Sequence, residues 1–90
     1  MVVIEKTTNT PELLIDSDEG NVELIGRCFP ENAVAFFTKV KEKILEIEKE
    51  KMSIVFSLDY INTSSTKYLL NLLKELSEKY KTNIVWMYEY

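Results

Sequence analysis

The chain has no histidine in 90 residues. That removes the Ser-His-Asp and Cys-His arrangements and every histidine metal ligand. It has one cysteine, Cys28, so neither an intrachain disulfide nor a cysteine-rich zinc site can form. Its two glycines, Gly20 and Gly26, are too few for a dinucleotide fingerprint or a P-loop. No apolar run approaches the ~20 residues that span a bilayer. Positive charge is also short: 11 basic against 15 acidic side chains leave a net charge of -4. Nucleic acid and anionic lipid both call for clustered Lys and Arg, so neither is expected as a partner. The lysines between Lys39 and Lys51 alternate with glutamates, the pattern of a solvated helix face. Met1 to Lys6 carries no charged leader and no cleavage site, and the expectation is a cytoplasmic protein.

What is present is an ordinary globular composition, 46% hydrophobic and 29% charged, enough for one domain with a modest core. Val2–Glu5 reads as an edge strand. Glu12–Asp16 and Val22–Arg27 form a hairpin around Asp16-Ser17-Asp18-Glu19-Gly20-Asn21, with Gly20 suited to a positive φ. Asp16-x-Asp18-x-Gly20 has the opening of a calcium loop, but the glycine spacing is wrong and no bidentate glutamate follows. A hairpin turn is the better reading, and no metal or cofactor is expected.

Phe29-Pro30-Glu31-Asn32 opens a first helix, with Pro30 in its first turn and Glu31 at the positive end of its dipole. Val34, Phe37, Val40, Ile44 and Ile47 share a face with Lys41, and the pattern runs to about Glu50. Met52–Leu58 predicts a central strand, buried on both faces for part of its length and extending towards Tyr60. Tyr68, Leu69, Leu72, Leu73, Leu76 and Tyr80 recur at helical spacing. Asn83–Tyr90 alternates as a last strand, with Trp86 as packing. The order β-β-β-α-β-α-β predicts an α/β (α+β-like) domain. About five strands form a mixed sheet, with a parallel central pair and two main helices largely on one face.

Chemistry concentrates at the corner between that central strand and the second helix: Asn62-Thr63-Ser64-Ser65-Thr66, four consecutive hydroxyls after an asparagine. The simplest role is a helix cap by Thr63, Ser64 or Ser65. One cap uses one hydroxyl, however, and this corner offers four. It also lies at the carboxyl end of a parallel strand, where open α/β sheets place their sites. A phosphate on Thr63 or Ser64 would meet free N–H groups and the positive end of the helix. Asn62-Thr63-Ser64 also fits a glycosylation sequon, a match without meaning in a cytoplasmic protein. An enzyme would have to use Asp59 and Glu31 as paired acids, with no base or metal to activate a nucleophile.

Thr10-Pro11, Gly26-Arg27-Cys28-Phe29-Pro30-Glu31-Asn32-Ala33, Tyr60-Ile61-Asn62-Thr63-Ser64-Ser65-Thr66-Lys67-Tyr68-Leu69-Leu70 and Val85-Trp86-Met87-Tyr88-Glu89 resemble, in this order, the SiaC-type regulatory phosphoproteins of bacteria. Those are similar in fold to the STAS-like anti-sigma-factor antagonists. The resemblance spans nearly the whole chain. It implies a non-enzymatic switch: a protein kinase phosphorylates the threonine of N-T-S-S, a PP2C-type phosphatase removes the phosphate, and the unphosphorylated form binds a diguanylate cyclase. Carried over, the phosphoacceptor is Thr63, with Ser64 as runner-up, and Asn62, Ser64 and Ser65 shape its loop. Arg27, Glu31 and Asn32 serve partner docking, or, with equal weight, Gly26 and Pro30 only shape a strand-to-helix turn and Arg27 pairs with a surface carboxylate. Two departures stand out. Cys28 takes the place of the serine usual after Gly-Arg, and the sequence ends at Tyr90 where similar proteins continue into an acidic segment. The competing account is a constitutive interaction module whose Asn62–Ser65 loop is only a helix cap.

Overall fold

The strands and helices follow one another as β1 (Val2–Ile4), β2 (Glu12–Asp16), β3 (Asn21–Cys28), α1 (Ala33–Ile44), β4 (Lys51–Ile61), α2 (Thr63–Lys79) and β5 (Lys81–Met87). This is a computed structural model, and it describes residues 1–87. The alternation expected for Tyr88, Glu89 and Tyr90 lies outside the described residues.

Among them, the strands form a five-stranded mixed sheet in the order β1-β2-β3-β4-β5. β1–β2 and β2–β3 pair antiparallel; β3–β4 and β4–β5 pair parallel. Two successive right-handed crossovers running in the same direction put α1 and α2 on one face. Side-chain alternation records this. Val22, Leu24, Met52, Ile54, Phe56 and Leu58 are buried beneath the helices, together with Phe37, Val40, Ile44, Leu69, Leu72 and Leu76. The expectation that β4 is buried on both faces needs correction. Ser53, Val55 and Ser57 point away from the helices and are only half-buried, because no helix among the described residues covers that side. The small Ser53 and Ser57 suit a face that stays wet.

The hairpin turn closes on Gly20 at φ +68°, where an added Cβ would come within 2.7 Å of the Lys51 carbonyl oxygen. Asp16 Oδ1 accepts the Glu19 N–H at 3.3 Å, so the acidic turn ties itself together. Both ends of α1 differ from expectation. Asn32 is its N-cap, the carboxamide oxygen accepting the Ala35 N–H at 3.1 Å, so Pro30 and Glu31 precede the helix. At the far end α1 stops at Ile44 rather than near Glu50. Tertiary contacts satisfy the freed carbonyls: Tyr80 Oη donates to Ile47 O at 2.7 Å and Lys79 Nζ to Leu45 O at 3.1 Å. Ile47, fully buried, anchors this turn, so local helix propensity loses to packing. The helices also meet through a Lys41–Glu75 ion pair at 2.9 Å and a stacked Phe37–Tyr68 pair with centroids 6.5 Å apart.

Candidate functional site

The corner forms where β4 hands the chain to α2. Asn62 has extended backbone (φ -82°, ψ 166°) and caps the helix, its carboxamide oxygen accepting the Ser65 N–H at 3.0 Å. The sequence reading gave that role to Thr63, Ser64 or Ser65, and this is a correction. A carboxamide serves as N-cap as well as a hydroxyl does, and Asn62 sits one residue before the first helical position. Its own N–H donates to Cys28 O at 3.0 Å, fixing the corner to the end of β3.

With the cap supplied by Asn62, the four hydroxyls fall into different states. Ser65 is fully buried. Its Oγ makes no hydrogen bond of good geometry among the described residues, and the Cys28 thiol lies beside it. Burial pushes the Cys28 thiol up from its ordinary value, and the contact with Ser65 offsets this in part. Cys28 is therefore a protonated, inert packing group. Thr66 Oγ1 donates to Asn62 O at 3.1 Å. Ser64 Oγ points at Asn62 Oδ1 from 3.5 Å. Thr63 is exposed at the first position of α2, and its hydroxyl enters no hydrogen bond among the described residues. Of the four, it is the accessible and uncommitted one. A group attached there meets the unpaired N–H groups of the first turn and the positive end of a 17-residue helix.

Beside this corner a β-bulge interrupts the β3–β4 ladder. Gly26 pairs with Leu58 but Arg27 with Tyr60, leaving Asp59 as the extra, exposed residue. The bulge turns Tyr60 onto the side away from the helices, level with Arg27. Phe29 joins them. The Arg27 guanidinium lies 5.2 Å from the Phe29 ring centre, and Phe29 meets Tyr60 edge-on with centroids 5.8 Å apart. Arg27 is exposed and enters no ion pair among the described residues, so the expected alternative of a surface carboxylate partner has no counterpart among them. Glu31 is exposed on the connection to α1, and Asn32 spends its oxygen on the α1 cap. β3–β4 pairing sets Arg27 beside Tyr60, and the Asn62 N–H bond to Cys28 O ties the start of α2 to the same strand end, while Glu31 and Asn32 belong to the next turn of chain.

Sequence reasoning missed Phe29 and Tyr60 as parts of this rim. No sequence signal marked them: Ser57-Leu58-Asp59-Tyr60 continues the polar–apolar alternation, and the bulge shows only in the strand register.

Fold and corner together define a small α+β domain with an accessible threonine at a helix start. The model for SiaC family regulatory phosphoproteins matches residues 4–90, and the chain belongs to that family. An uncharacterized protein of Pseudomonas aeruginosa (strain UCBPP-PA14) is 28% identical over 93 residues, covering 96% of this chain and 74% of that protein. SiaC of Pseudomonas aeruginosa superposes with a TM-score of 0.80 at 26% identity, over 92% of this chain and 74% of the other. The diguanylate cyclase SiaD in complex with its activator SiaC, from the same organism, gives 0.74 at 27% identity, over 90% of this chain and 72% of the matched one.

Proposed function

We propose that this chain is a non-enzymatic signalling switch of the bacterial cytoplasm. A partner kinase phosphorylates Thr63, a PP2C-type phosphatase reverses the reaction, and the unphosphorylated form binds a partner such as a diguanylate cyclase. One observation carries the choice of residue: Asn62 fills the N-cap, so the Thr63 hydroxyl stays exposed and free at the first position of α2. Membership of a regulatory phosphoprotein family supports a phosphorylated regulator. The solved relative that activates a diguanylate cyclase supports the kind of partner.

The physical logic is local. A phosphate on Thr63 adds about -1.5 to -2 charge and three strong acceptors. It is held by the helix N-terminus, so the rim changes sign without any change of fold. A partner surface matched to the unmodified rim then meets repulsion and misplaced acceptors. Incubation with the cognate kinase and ATP, followed by intact mass and peptide mapping, tests the assignment. The expected result is one phosphate, on Thr63, lost in Thr63→Ala. Phosphate mapped elsewhere, or none at all, contradicts it.

A further inference from the structure

Resting on that reading, we infer that the Arg27–Phe29–Tyr60 patch is where the chain holds an acidic side chain of its protein partner, and that phosphate on Thr63 acts by competing for this patch.

The patch is built rather than incidental. The bulge between Gly26 and Arg27 brings Tyr60 opposite Arg27, the guanidinium lies over the Phe29 ring, and Tyr60 meets that ring edge-on. The cation–π contact with Phe29 restrains the exposed guanidinium, whose fork is planar and pre-organised for bidentate contacts. Arg27 enters no ion pair among the described residues, in a chain with net charge -4. An exposed guanidinium fork matches a carboxylate bidentately, and the half-exposed Tyr60 ring gives such a contact an apolar flank. Arginine with two aromatics is also the composition that dominates protein interfaces. The occupant is thus a glutamate or aspartate on a protein surface.

Coupling to Thr63 follows from proximity. Tyr60 precedes Thr63 by three positions, which an extended chain spans in about 10 Å, about one Debye length at moderate salt. A phosphate at Thr63 therefore acts on the patch through a field that is partly screened at moderate salt and strengthens as salt is lowered. It attracts the guanidinium and repels the carboxylate that the guanidinium would hold.

The test is a low-salt titration of the isotope-labelled full chain with hexaglutamate, with hexalysine as control, followed by NMR. The expected result is saturable shifts at the Arg27 side-chain N–H and at the Phe29 and Tyr60 amides, absent with hexalysine. Arg27→Gln weakens them about two- to fivefold, Arg27→Lys less, and Thr63→Asp weakens them as well. An unchanged amide spectrum in each variant shows that the fold is kept. Shifts centred on Lys67 and Lys74, shifts equal in Arg27→Gln, or no saturable shift at millimolar peptide would overturn the patch. Thr63 phosphorylation alongside an unresponsive patch removes this inference alone. A responsive patch with no phosphate on Thr63 removes the switch and leaves a constitutive acidic-partner site.

Discussion

The carboxamide oxygen of Asn62 accepts the Ser65 N–H at 3.0 Å, so α2 is capped from outside its run of hydroxyls. Replacing a cap by alanine costs roughly 1 kcal/mol. Asn62→Ala should therefore lower unfolding stability by about that amount, measured by urea denaturation with an unchanged slope. Thr63→Ala removes no hydrogen bond and should stay within about 0.5 kcal/mol of the parent. If Thr63→Ala costs as much as Asn62→Ala, Thr63 is the working cap and its hydroxyl is not free.

This division of labour marks where the sequence was legible and where it was not. Element order, the mixed sheet and the one-sided helix layer follow from periodicities that local residues set, such as Leu69-Leu72-Leu76 and Ile54-Phe56-Leu58. The extent of α1 does not, because it is decided by Tyr80 and Lys79, more than thirty positions away, which satisfy the carbonyls of Leu45 and Ile47. At the corner, the hydroxyl cluster was visible and its importance inferable. Which residue caps depended on one backbone turn; asparagine outranks threonine as an N-cap, a preference that the run of hydroxyls obscured. The Arg27–Phe29–Tyr60 grouping was hidden because it depends on a one-residue bulge, and register is a property of paired strands.

The Cys28 thiol is fully buried against Ser65, and burial pushes its pKa up. A thiol reagent should label the native protein slowly, at a rate set by opening of the fold, and label the urea-unfolded protein quickly. The sign for stability follows from linkage. The folded thiol holds its proton to higher pH than the unfolded one, which ionises near ~8.5. Stability is therefore intact below that pH and declines as pH rises through the folded value. Cys28→Ala should flatten this alkaline decline. A parent profile as flat as that of the variant would show that the thiol is not desolvated.

Lys41 and Glu75 bridge the two helices at 2.9 Å, with side chains 36% and 53% exposed. Pairs this wet contribute about 0–1 kcal/mol. Glu75→Gln should accordingly cost less than ~1 kcal/mol, and the difference from the parent should shrink as salt rises. By contrast Leu76→Ala, which truncates a fully buried side chain beneath the same helix, should cost about 2–5 kcal/mol. Thermal or urea unfolding of the two variants side by side checks both figures, and a salt-insensitive loss at Glu75 would point to a packing role for its stem.

The most direct measurement is the affinity of a purified diguanylate cyclase for the full chain with Thr63 unmodified and with Thr63 phosphorylated, by calorimetric titration. The account predicts binding by the unmodified chain and by Thr63→Ala, weakened about tenfold or more, ~1.4 kcal/mol, by phosphate. Equal affinity of a binding-competent cyclase for both forms would contradict it.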